Sequence, residues 1–310
     1  MANYIFRRIL QAIPTLFGVT LITFILFNVV GGDPVYQMVG KGAGQKEIDA
    51  LRHELGLDRP LYKQYFFYLK QIVTFDFGRS YANKQKISTM IKEGVGPSLS
   101  LAVPAFFCGS LLGIIISLFV ALYRGKIFDR AVVVLTIAGM SISFLAYIIA
   151  GQYYLAYVAG LFPISGWEPG FRGIPFLVLP GLIWVVVSLG SDVRFFRTVM
   201  LDEINQDYVQ TAYAKGVGKY AVLFKHVLKN AMIPIITRLV IAIPFLYTGS
   251  LLLENFFSIP GLGSMSINAI NSSDFPVIKA ITFIGALLYV LGNILTDICY
   301  VLVDPRVRLK

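Results

Sequence analysis

The residues with chemistry to offer are few, and they lie where charge is expensive. Gln152, Asp192, Glu254 and Asp297 interrupt long apolar runs. An amide or carboxylate at membrane depth is costly unless it faces protein or a water-filled path. Each therefore either lines a pathway or satisfies a neighbouring helix, and the sequence leaves both readings open. The turn SIPGLG, with Pro260 and Gly261, supplies non-helical backbone that is tolerated at such depth only inside protein or beside a cavity. It is a candidate gate or an ordinary outer loop. Catalytic constellations are missing: there is no nucleophile and base pair, no His-Glu-x-x-His, and no carboxylate pair at usable helical spacing. His53 and His226 are the only histidines, too few for a histidine metal cluster. GKGAGQK at 40–46 resembles a phosphate loop superficially. A Walker A motif needs Gly-Lys-Ser/Thr, which Gln45 and Lys46 do not supply. Cys108 and Cys299 lie far apart in apolar runs and read as small buried hydrophobes, with no disulfide or zinc spacing.

A composition of 56% hydrophobic and 14% charged residues, with mean hydropathy +0.72, describes an integral membrane chain, not a soluble one. In a soluble protein the net charge of +10 would suggest nucleic acid. Here the basic residues gather in short loops beside apolar runs, where lipid headgroups and orientation account for them, so no nucleic-acid partner is expected. Apolar runs of about 20 residues or more give an all-α fold with six transmembrane helices. The first, Ile9 to Gly32, is too long for the core of a cleavable signal and ends NVVGGDP. Residues 33–96 form the largest polar portion, with aromatic-rich short surface helices. The second span covers 97–123. The third covers 131–158 and is closed by the turn LFPISGW. The fourth runs from Ile174 to Leu189 and on through SDVRFFRTVM. The fifth runs from Pro234 to Leu253, with Arg238 near enough to its end to snorkel. The sixth runs from Val277 to Val303. Arg7 and Arg8, the 124–130 loop, the 194–229 loop and the 306–310 tail share one side. By the positive-inside rule that side is cytoplasmic, both termini included.

What these helices frame is the stretch DYVQTAYAKGVGKYAVLFKHVLKNAMIP at 207–234. At helical spacing Val209, Ala212, Tyr213 and Gly216 share a face of a first short helix, with Asp207 near its start and Lys215 in its last turn, each suiting the helix dipole. Gly216 and Gly218 end it, because glycine accepts the left-handed conformation of a helix C-terminus. In a second helix Tyr220, Leu223, Phe224, Val227 and Leu228 form an apolar stripe opposite Lys219, Lys225, His226 and Lys229. A basic amphipathic segment also suits an anionic lipid surface. Turn glycines are not needed for that role, and docking to a soluble protein is the stronger reading.

This helix, glycine turn, helix arrangement resembles the EAA loop of ABC importer permeases. Gln210, Thr211, Ala212 and Gly216 stand where the general pattern has Glu-Ala-Ala and Gly. DYVQTAYAKG resembles the DYVRTARAKG variant of dipeptide and oligopeptide importers. The likeness extends along the chain through FRRILQAIPTLFGVTLITFIL, GDPV at 32–35, LGLDRPLYKQY at 55–65, FGRS at 77–80, ENFFSIPGLG at 254–263 and DPRVR at 304–308. Together these resemble the B-type permease of that family. The resemblance implies a type I importer fold: residues 1–96 as the first helix plus an extracytoplasmic loop, 97–303 as the core of helices 2 to 6, and 304–310 as a cytoplasmic tail. Within the core a coupling elbow occupies about 202–232, with Gln210, Thr211, Ala212, Lys215, Gly216, Val217 and Gly218 docking on an ATPase. The first helix would wrap a neighbouring permease. The implied partners are a C-type permease, two ATP-binding subunits that carry the ATP and Mg, and an extracytoplasmic peptide-binding protein. The chain itself would need no cofactor and would not be an enzyme. The cargo would be di- or oligopeptides, while relatives in the family carry nickel or metal chelates or glutathione. An autonomous channel or secondary transporter is the alternative of another class. Such folds commonly show internal repeats, and the two halves of this chain show none.

Overall fold

A computed structural model describes residues 2–31, 34–39, 44–247 and 249–303. Gly32 and Asp33 of the GDPV motif, residues 40–43 of GKGAGQK and the 304–310 tail lie outside the described residues. The first apolar run folds as α1 (Ala2–Ile25), prolonged by a π turn, Leu26–Val30. Short helices α2 (Pro34–Val39), α3 (Gln45–Glu54) and α4 (Leu61–Thr74) follow. The expected surface helices exist, but α4 is no free-standing surface element. Tyr65 packs edge-on to Phe24 at 5.2 Å between ring centroids, and its hydroxyl lies 3.1 Å from Thr20 Oγ1. Tyr68, Ile72 and Phe77 are buried with Ile87, Ile91, Leu262 and Val277 in one apolar cluster.

The second span, α5 (Ile87–Leu122), starts well before the expected residue 97. Lys92, Glu93 and Pro97 disguise its opening turns. Yet Ile87, Ile91, Gly94, Ser98 and Leu101 are buried at helical spacing, and the prolines are absorbed within the helix, as membrane helices tolerate. Cys108, expected to be buried, is exposed on this helix. The third span is two helices, α6 (Ile127–Ser141) and α7 (Phe144–Ala150), the latter continued by a π segment, Gly151–Val158. They bend by 92° at the break. Ile142 and Ser143 adopt extended backbone there, a break that uninterrupted apolar composition conceals. α8 (Ile174–Ile204) runs unbroken. It packs closely on α5, where a Cβ on Gly113 would lie 3.1 Å from the Phe196 ring.

After α9 (Asp207–Ala214) the chain restarts as α10 (Lys219–Val222), passes a π turn at Leu223–Val227 and continues as α11 (Leu228–Tyr247). The expected fifth span from Pro234 to Leu253 is thereby corrected at both ends. Pro234 lies inside a helix that begins at the elbow, and Leu253 belongs to the separate α12 (Leu251–Phe256). Arg238 consequently sits deep in a helix and not at its end. α13 (Leu262–Asn271) and α14 (Phe275–Val303) complete the chain. Among the described residues, helices long and apolar enough to cross a membrane number five, or six with the bent pair as one span.

Two apolar clusters mark the two ends of the bundle. Leu118, Leu122, Phe196, Met200, Val209 and Val222 gather at the elbow. Phe24, Ile72, Ile87, Leu262 and Val277 gather at the opposite, distal end. α1 begins and α14 finishes toward the elbow, where Arg8 Nε meets Asp297 Oδ2 at 2.9 Å.

Candidate functional site

The elbow is held from inside and open outside. Val209 and Ala212 bury against Phe196 and Met200 of α8, so the first short helix is clamped to the end of a transmembrane helix by apolar contact. The Val217 N–H donates to the Ala212 carbonyl at 3.2 Å and the Gly216 N–H to Tyr213 at 2.9 Å, satisfying carbonyls that a helix end leaves open. Gly216 has φ +77°, the left-handed conformation expected, and a Cβ there would meet no atom within 4 Å. Glycine is required by backbone conformation alone. Gly218 differs from the expectation: it is extended, φ −61° and ψ 148°, and caps the next helix. Lys219 Nζ donates to the Leu122 carbonyl at 2.7 Å, placing a cation on the C-terminus of α5 where the helix dipole favours it. Arg124 donates to Asn205 Oδ1 at 3.1 Å, tying the neighbouring basic loop to the elbow.

The predicted docking residues Gln210, Thr211, Lys215, Gly216 and Gly218 are exposed, Val217 is half-buried, and Ala212 is buried. Ala212 therefore positions the elbow from within. The predicted apolar stripe of the second helix is wrong in part. Tyr220 and Phe224 are 62% and 55% exposed, while Val222, Leu223 and Val227 are buried. The π turn at Leu223–Val227 carries an extra residue and shifts the phase of the helix after it relative to the turn before it; Tyr220 and Phe224, like Tyr208 and Tyr213, are exposed. Tyr208 donates to Glu203. Burial, then that carboxylate, push the phenol up to about 12.

The polar residues singled out within the apolar runs are each engaged. Glu254 is fully buried and accepts from Ser98 Oγ at 2.8 Å, Ser250 N at 3.1 Å, Gly263 N at 2.7 Å and Ser264 N at 3.2 Å. Its carboxylate thus caps α13 while gripping α5. Ser98 also accepts from Leu262 N at 2.8 Å. A Cβ on Gly261 would collide with the Glu254 carboxylate and Ser98 Oγ, which explains glycine beside Pro260. Gln152 donates to the carbonyls of Ile164 at 3.1 Å and Phe256 at 2.9 Å. Asp192 pairs with Arg238 at 3.1 Å, whose guanidinium lies 4.8 Å from the Phe195 ring centre. Asp297 pairs with Arg8. The structure brings Glu254, Pro260 and Gly261 together, ties Gln152 to the end of the short helix that carries Glu254, and leaves Asp192 and Asp297 in separate places.

Three residues escaped the sequence reading. Ser98 looked like one more small residue of a helix. Asp129 bridges Arg197 at 2.7 Å and accepts from the Gly125 N–H at 2.9 Å; its signal was an acid in an otherwise basic loop. Asp274 accepts from Ser80 Oγ and from the Tyr81 and Ala82 N–H groups, the latter two at 3.0 Å and 3.3 Å, fastening the distal segment to the start of α14. Among the described residues no group of His, Cys, Asp and Glu could hold a metal ion.

Helical spans joined by a basic, glycine-turned elbow, with a capped hairpin at the opposite end, define a membrane permease of the ABC transport class. The chain belongs to the family described as binding-protein-dependent transport system inner membrane component, whose model matches residues 113–309, with the companion N-terminal model matching 1–102. It is a permease subunit of an ABC transport system and a multi-pass protein of the inner membrane. It is 35% identical to the "Putative peptide transport system permease protein" of Brucella abortus over 99% of each chain. It is also 32% and 33% identical to the glutathione transport system permease protein GsiC of Shigella flexneri and Escherichia coli, over 100% of each chain.

Proposed function

We propose that this chain is one of two permeases in an ATP-driven importer of short peptides, with its elbow docked on an ATP-hydrolysing subunit. The observation that carries the reading is the elbow: a short helix clamped from behind by Val209 and Ala212 and bare on its other side, where Gln210, Lys215, Tyr213, Tyr220 and Phe224 are exposed. Exposed aromatic rings beside basic residues are the composition of a protein contact and are costly to leave in water. In this reading the elbow, the ends of α1 and α14, and both chain termini are cytoplasmic. ATP and Mg are bound by partner ATPases, a C-type permease completes the pathway, and an extracytoplasmic binding protein delivers cargo at the distal end. Closure of the ATPase pair moves the elbows together. α8 and the helix from Lys219 to Tyr247 carry that motion to the Glu254 hairpin, a rigid-body transition of packed helices. The chain before α5 serves as a wrapping helix with its loop, and the helices from Ile87 onward serve as the translocating core.

Peptide cargo rests on the names of full-length relatives, among which peptide and glutathione permeases both occur. Glutathione, itself a short peptide, is the second reading. The test is to tag the chain, extract its complex gently and identify what co-purifies, with Gly216→Trp in parallel. The complex is then reconstituted in vesicles, and ATP-dependent uptake of labelled dipeptide, oligopeptide and glutathione is compared. Co-purification of an ATPase that Gly216→Trp loses, and uptake that needs ATP, are expected. A folded chain that comes out alone in both samples would sink the docking role. Uptake of glutathione in preference to every peptide would select the second reading.

A further inference from the structure

Between the distal end of α1, the α4 helix and the start of α14 lies a cavity of about 460 Å³. Its lining carries four cations, Arg59, Arg79, Lys84 and Lys279, against one carboxylate, Glu54. Lys279 is its innermost charge. Its ammonium donates to Asn28 Oδ1 at 2.8 Å and lies 5.4 Å and 6.0 Å from the centres of the Tyr68 and Phe24 rings. Asn28 in turn donates to Gln64 Oε1 at 2.8 Å, and Gln64 donates to the Leu57 and Arg59 carbonyls. This chain of amides fixes Lys279 without neutralising it. An ammonium has three N–H donors, and among the described residues no carboxylate pairs with this one. A cation with spare donors, in a cavity lined by three further cations, is the deficit that a phosphate group fills through charge-assisted hydrogen bonds.

Depth indicates where the phosphate comes from. Asn28 lies in the last turn of the first span, and Lys279 in the second turn of α14. Both therefore sit near the end of the apolar core, at the level of the headgroups. Tyr62, Phe66 and Val73 of α4 are exposed alongside, giving the cavity an apolar flank suited to acyl chains. We propose that this cavity binds the phosphate headgroup of an anionic phospholipid from the leaflet distal to the elbow. Lys279 is the headgroup ligand, and Arg59, Arg79 and Lys84 form its basic rim.

The test uses the intact permease complex, delipidated in mild detergent and titrated with short-chain phosphatidylglycerol, phosphatidylcholine or inorganic phosphate, with bound species counted by native mass spectrometry. Phosphatidylglycerol is expected to bind in preference to the other two. Its affinity should fall about ten-fold in Lys279→Met and in part in Arg79→Gln, as loss of charge-assisted bonds implies. It should persist in Lys279→Arg and in Lys70→Met, a control outside the cavity. If Lys279→Met does not assemble, Arg59→Gln and Arg79→Gln carry the same comparison. Equal phosphatidylglycerol binding by the unmodified complex and the cavity variants would overturn the site. A Lys279 dependence seen with inorganic phosphate but not with phosphatidylglycerol would overturn the lipid source.

Discussion

Within this chain a Cβ at Gly216 would touch nothing, so a small substitution there reports on backbone conformation, whereas Trp also obstructs the docking face. Asn, which tolerates the left-handed region, is expected to preserve the elbow. Val should cost about 1–2 kcal/mol and uncouple transport from ATP hydrolysis, measured as ATPase activity with and without cargo in vesicles. Glu254 presents the opposite case, since all four of its partners donate to it. Glu254→Gln turns an NH2 group toward N–H donors, and a loss of about 2 kcal/mol is expected as a lowered Tm in detergent, with Glu254→Asp intermediate. Tyr208 makes a pH prediction. Its pKa is raised in the folded state, so the stability it contributes is complete below about pH 10 and lost as pH rises through about 12. Ultraviolet titration of the unmodified complex against Tyr208→Phe should show one phenol ionising late. A phenol that ionises at the ordinary value would refute the Glu203 contact. The conformation of Gly216 was legible in the sequence because glycine's freedom is a local property. The Glu254 knot was not, because Ser98 reaches it from 156 residues away and no spacing rule spans that distance.

At the scale of elements, the helices were readable as apolar runs, but their breaks and phases were not. A run of Ile, Leu and Ala looks the same whether it is straight or bent by 92° at Ile142 and Ser143. A π turn is silent in sequence, yet at Leu223–Val227 it shifts the phase of the helix after it relative to the turn before it. Tyr220 and Phe224 are exposed, and the pair of substitutions Tyr220→Ala and Phe224→Ala is therefore expected to leave the fold within about 0.5 kcal/mol, as surface changes do, while weakening recovery of the ATPase in pull-down. Val222→Asp should abolish accumulation of the permease in the membrane, since it puts a carboxylate among Leu118, Phe196 and Met200. If the exposed rings prove essential for folding and Val222→Asp is tolerated, the phase assigned to this helix is wrong.

For the whole molecule, the sequence conveyed the membrane class and the number of crossings through composition and run length. It did not convey that the polar loop before α5 folds back onto α1 and α14, because that packing depends on contacts between distant rings such as Phe77 and Phe283, 6.4 Å apart. Sidedness is open to direct measurement. In a background free of Cys108 and Cys299, single cysteines at the exposed Phe171 and Asn83 should react with an impermeant maleimide in intact cells. Cysteines at Lys215 and Ile127 should react only after permeabilisation, and the reverse pattern would invert the proposed orientation. The helix that starts at Lys219 bears on the same geometry. From Lys219 to Tyr247 it extends about 43 Å at 1.5 Å per residue, and Tyr247 packs into the cluster that holds Leu262. Such a rod is a lever: a tilt of about 5° pivoted at the elbow sweeps its far tip by roughly 4 Å over that length. The hairpin at Leu262 then moves with the elbow without melting a single turn, with α10 and α11 as arm and Lys219, tied to the Leu122 carbonyl, as fulcrum.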